Sequence, residues 1–193
     1  GGGMTIKTRD QLINALGNNT SRLILDKASI VSQTAGSFAS LWRATGMPGQ
    51  GAIPAATAAC INTTTGAINF TQQVSPATSY LAYLESMNSN AAMTLEIHDR
   101  LAHMGGLNGA LTTAQTVSMD FSTLSGSNGI TERMGDANYS DIQWWLEWYT
   151  ATGSTAVTAT IAVTYNDGTT GNLSAVSLAA TRPASHMILL NGY

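Results

Sequence analysis

His98, Asp99 and His103 form the one local group of residue types that commonly hold a transition metal, since imidazole and carboxylate both suit zinc and similar ions. Their spacing argues the other way. If 93–98 is a strand, His98 and Asp99 point to opposite faces, and joint coordination needs a bend. The expectation is a hydrogen-bonded loop, with no metal and no cofactor. Glu85, Glu96, Glu132 and Glu147 are spread over separate segments, so no two are singled out for acid–base work. There is no Gly-x-Ser-x-Gly elbow, no phosphate loop ending in Lys and Ser or Thr, and no His-Glu-x-x-His helix. The residue types thus point away from an enzyme.

Recognition is the other chemistry these residues could supply. Trp145 and Tyr149 alternate with Gln143 and Glu147 on the polar side of a strand pattern, where they suit a sugar platform or a docking patch for another chain. Coverage by a second sheet or by the N-terminal arm is the competing reading. Trp42 and Arg43, just ahead of a glycine-rich stretch, pose the same choice between an interface anchor pair and an ordinary packed indole. Trp42, Arg43, Trp145, Glu147 and Tyr149 are therefore the candidate interface residues. Cys60, in an Ala-rich run, reads as a small buried hydrophobe, and Asn62 and Asn69 begin Asn-x-Ser/Thr triplets of the kind chance supplies here.

The elements that must position these residues are mostly strands. Thr8 and Gln11 have capping-box spacing, Leu12, Ile13 and Leu16 share a helical face, and Gly17 suits a helix end. An extended arm then covers 22–31, and Gly46, Pro48, Gly49, Gly51 and Pro54 make 46–54 a loop or hinge that separates arm from body. Strands are expected at 79–85, 93–98 and 115–121, with an irregular glycine-bearing connection over 100–109. In 141–151, Ile142, Trp144, Leu146 and Trp148 fall on one face. A strand over 157–165, a tight turn at Asn166, Asp167 and Gly168, a return over 173–179 and a closing strand over 186–190 complete an antiparallel meander. Short strands with Gly-rich turns and little helix suggest a β-sandwich of jelly-roll type, carrying a short N-terminal helix and an extended arm. Residues 1–3, ahead of Met4, read as a cloning scar, 4–45 as helix and arm, and 46–193 as the sandwich.

With 193 residues the chain can bury a core, yet only 10% of them are charged, against roughly 25% in ordinary soluble domains. A surface of Thr, Ser, Asn, Ala and Gly suits close contact with neighbouring chains. A formal charge of -3 excludes the basic footprint of a nucleic-acid binder, and the single cysteine excludes an intrachain disulfide. No apolar run approaches the roughly 18 residues of a membrane span, and a signal-peptide pattern is absent at the N-terminus, so the expectation is a soluble, non-exported chain.

Three stretches resemble virion-associated proteins of tailed bacteriophages, of the kind encoded with capsid and head genes: 40–48 (SLWRATGMP), 98–113 (HDRLAHMGGLNGALTT) and 144–153 (WWLEWYTATG). The likeness spans roughly 40–191, leaves the N-terminal helix outside, and carries no functional residue over. It implies a non-enzymatic capsid decoration, cement or minor capsid protein, located in the virion after assembly in the host cytoplasm. Expected partners are the chain itself, as a homo-oligomer with trimer the leading symmetry, and virion proteins such as the major capsid protein, with no direct nucleic acid and no membrane. The alternative is a carbohydrate-binding β-sandwich module of a fibre or adhesin.

Overall fold

The computed structural model describes residues 6–18, 22–29, 33–70, 79–89, 93–121, 124, 133, 142–165 and 167–190. It divides into two units, the first made of 1–24 with 68–99 and the second of 25–67 with 100–193. The described residues carry one ten-residue helix, a helical residue at Arg133 and eleven short strands in small antiparallel sheets, with no closed barrel among them. None of these residues forms a helix long and apolar enough to cross a membrane.

The first unit holds α1, Arg9–Asn18. Its start is fixed by the expected capping box: Gln11 N donates to Thr8 Oγ1 at 3.2 Å, while Gln11 Oε1 accepts from Thr8 N at 3.2 Å and from Lys7 N at 2.7 Å. Leu12, Ile13 and Leu16 remain exposed. The segments 79–85 and 93–98 are not strands. The side chains of 93–98 alternate as a strand's would and 79–85 is an apolar run, but a strand needs a ladder partner, and the described residues supply none.

The second unit contains β1 (Asp26–Lys27), β2 (Phe38–Ala39), β3 (Gly46–Met47), β4 (Ala58–Ala59) and β5 (Ala102–His103). Then come β6 (Trp145–Glu147), β7 (Val157–Ala159), β8 (Ala162–Thr164), β9 (Thr170–Asn172), β10 (Val176–Leu178) and β11 (His186–Leu189). Part of the stretch expected to be a hinge is instead the arm's anchor. β1 pairs with β3, Ala28 N donates to Thr45 O at 2.9 Å, and Lys27 Nζ donates to Ala44 O and Gly49 O at 3.1 Å each. Gly46, at φ 136, permits this approach, because a Cβ there would lie 2.0 Å from Asp26 O.

The largest sheet has β11 at its centre, between β2 and β6. Its register places Phe38, Met187, Leu189, Trp145 and Glu147 on one face and Ala39, His186, Ile188 and Leu146 on the other. The ladder runs on past the strand ends through Ser185 N to Trp148 O at 2.6 Å and Leu190 N to Trp144 O at 2.7 Å. Both faces of the tryptophan strand are half covered, so the expected buried face is only partly buried: Trp144 is 38% exposed. Ile142 is buried, with Ala59, Leu101, Ala102, Phe121 and Leu124 packed on it. The 115–121 stretch alternates in burial without forming a strand; its Ser118 carbonyl accepts from Thr57 Oγ1 at 2.7 Å.

The expected hairpin joining 157–165 to a return over 173–179 is present, but the return begins earlier, at β9. Asp167 Oδ1 accepts from Thr169 N at 2.9 Å and Gly168 has φ 84 in the turn, while Asn166 lies outside the described residues. The hairpin's two ladders are out of step by one residue. Ala159 faces Val176, whereas Ala162 faces Asn172 and Leu173 N donates to Ile161 O at 2.9 Å, so Ser174 and Ala175 together oppose Thr160. This β-bulge lets Gly171 and Leu173 share a partly buried face with Val176 and Leu178, although the two pairs differ in sequence parity.

Candidate functional site

The second unit builds one polar cluster, and Arg100 is its centre. β6 carries Glu147 on the Phe38 face of the sheet, and Tyr149 follows two residues later with the parity of that face. β5 places His103 beside the same ground, three residues after Arg100. Arg100 Nη2 donates to Glu147 Oε2 at 2.6 Å and also hydrogen-bonds Tyr149. Its guanidinium carbon lies 4.5 Å from the Trp42 ring centroid, a cation–π distance. The Trp42 and His103 rings meet edge to face at 5.9 Å.

The Trp42 indole is seated by backbone. Its Nε1 donates to Ala52 O at 3.1 Å, and Trp42 O accepts from Gly51 N at 2.8 Å. A Cβ at Gly51 would stand 2.2 Å from Trp42 Cε2, so only glycine fits there. Behind the cluster, Arg133 Nη1 donates to Cys60 O at 2.5 Å and Nη2 to Arg100 O at 3.2 Å, while Cys60 N donates to Leu101 O at 2.8 Å. Cys60 is buried, as its surroundings suggested.

Electrostatics follow from this burial. Desolvation opposes the Arg100 charge, but Glu147 and Tyr149 outweigh it and hold the guanidinium above the ordinary arginine value. His103 is pushed down, first by burial and then by the positive Arg100. Burial pushes the Tyr149 phenol up, Glu147 adds to that, and Arg100 partly offsets both. Two buried atoms of the cluster, Glu147 Oε1 and His103 Nδ1, have no hydrogen-bond partner. Chemically the cluster is a clamp. It ties the 42–52 loop, the 100–103 segment and β6 together through one charge-assisted bond and one stacked cation.

Of the residues singled out from sequence, Trp42, Glu147 and Tyr149 are brought together, all by Arg100. Arg43 turns away, its Nη1 donating to Gly51 O. Trp145 stands on the Phe38 face, with the two rings edge to face at 5.2 Å. Arg100 itself was missed. A signal was there, since Arg100 is the only Lys or Arg between Arg43 and Arg133, and a scarce cation inside an apolar stretch usually has an acidic partner. Outside the clamp, His98 Nε2 lies 3.1 Å from Glu96 Oε2, and His103 belongs to the clamp. Among the described residues no group of three or more His, Cys, Asp or Glu is arranged to hold a metal ion. No protein-family model, curated protein or solved structure matches the chain.

Proposed function

We propose that this chain is a non-enzymatic structural protein of a bacteriophage virion, a capsid decoration, cement or minor capsid component. It acts through contacts with copies of itself and with other virion proteins, the major capsid protein among them, and its small antiparallel sheets are the pieces of a jelly-roll-like sandwich. One observation carries the assembly part of this reading: large apolar side chains stay exposed in a chain only 10% charged. Leu81 is 84% exposed and Met87 90%, while Ala44, Cys60 and Ile142 are the hydrophobic residues buried among those described. A chain with this balance gains stability by covering apolar surface with other chains. The resemblance of 40–48, 98–113 and 144–153 to virion proteins supplies the setting.

Light scattering at micromolar concentration is expected to return a multiple of 20.1 kDa. An antibody against the chain is expected to label purified particles of the phage that encodes it. A single-chain mass together with unlabelled particles would overturn the proposal.

A further inference from the structure

No described residue of 1–24 or 68–99 is buried; the buried residues, Ala44, Cys60, Ile142, Ser185 and His186 among them, all belong to the second unit. Between 93 and 97 the side chains alternate, with Met93, Leu95 and Ile97 apolar and Thr94 and Glu96 polar. All five are exposed, and no described segment pairs with them. Elsewhere in the same unit, Leu81, Tyr83 and Met87 are more exposed still, and apolar side chains left this open mark an interaction surface.

We propose that residues 93–97 pair antiparallel with the same residues of a second copy, about a two-fold axis at Leu95, and that Leu81, Tyr83 and Met87 are covered in the same contact. This rests on the self-association reading above and names its surface. The occupant is chosen by complementarity. Centred on Leu95, the register sets Leu95 against Leu95 and Met93 against Ile97, which puts every apolar residue of the segment on one shared face. Thr94 then faces Glu96, so no like charges meet. Centring on Glu96 would oppose two carboxylates, and moving a partner by one residue would turn its apolar face away. Charge does not keep the copies apart: the unit's three cations, Lys7, Arg9 and Arg22, stand against Asp10, Glu85, Glu96 and Asp99. The backbone groups of an unpaired strand-like segment gain hydrogen bonds in the same step. Such a two-fold contact is compatible with a trimer, because a closed shell joins its trimers across two-fold axes.

The test uses the whole chain with Cys60→Ala, which leaves no native thiol. Adding Leu95→Cys is expected to give a covalent dimer under mild oxidation, because directly opposed residues of an antiparallel pair lie within disulfide reach. Thr158→Cys, on the exposed outer part of the hairpin, is expected to stay uncrosslinked. Leu95→Glu, which opposes two carboxylates at the axis, is expected to shift assembly to at least tenfold higher concentration with the far-ultraviolet spectrum unchanged. A multimer in which position 95 fails to crosslink, or crosslinks no better than 158, overturns this contact and leaves self-association standing. A single-chain mass at every concentration overturns both.

Discussion

Arg100 and Glu147 lie 47 positions apart in the chain and meet at 2.6 Å, with the Glu147 side chain only 7% exposed. A buried pair of this kind is costly to break from one side, because the surviving charge stays desolvated, while replacing both partners by apolar residues can cost little. Glu147→Ala is therefore expected to lower unfolding stability by about 3–5 kcal/mol. The double variant Arg100→Met/Glu147→Leu should lose clearly less than the sum of its two single changes, read by a urea double-mutant cycle. Additive losses would show that the two residues act independently.

Stability should fall as the solution is acidified through the histidine range. His103 and His186 both titrate below the ordinary value of 6.5, His103 through burial and the Arg100 charge, His186 through burial and the Arg182 charge, the latter partly offset by a hydrogen bond to the Phe38 backbone. A depressed folded-state value means that the unfolded chain binds the proton more readily. The stabilising contribution is thus complete above 6.5 and is lost as the pH drops below it. Thermal midpoints measured from about pH 7.5 to about pH 5 are expected to decline, and the decline should flatten in His103→Gln. An equal slope in that variant would remove His103 from the account.

Gly51→Ala should unseat Trp42, since the new methyl carbon would lie 2.2 Å from Cε2 of the indole. An overpacked site of this type costs about 1–3 kcal/mol. Tryptophan fluorescence should shift alongside it. Gly153→Ala, which meets nothing within 4 Å, is the matched control and should leave stability within about 0.5 kcal/mol. Comparable losses at both positions would mean that the glycine at 51 is not required by the indole.

What the sequence made legible was local. The helix cap depends on Thr8 and Gln11, three residues apart, and the hairpin turn on Asp167 and Gly168, so neighbouring residues specify both. The apolar run at 79–85 and the alternation at 93–98 are both strand-like patterns, but pairing is a property of two segments, and no partner segment can be read from one. The hairpin bulge lies between these cases. Val163 and Ala159 share parity whereas Gly171 and Val176 do not, so a slip was written in the pattern, visible only once both strands were aligned. Of the site, the sequence offered Trp42, Glu147 and Tyr149 as surface anchors. Their common partner is distant in sequence, and nothing local to β6 announces Arg100.

The placement of β11 at the centre of the largest sheet has a consequence for biogenesis. Ala39 leaves the ribosome about 150 residues before His186, its ladder partner, on the order of ten seconds at ordinary elongation rates. Until 186–189 emerge, β2 and, once it has been synthesised, β6 have nothing between them, and the aromatic edge pair Phe38 and Trp145 cannot be held in register. The helix and the hairpin can form as they emerge, but the central sheet must wait for 186–189. Truncated or stalled chains lacking 186–189 therefore carry two unpaired strands, and they should be the species that quality-control proteases remove first.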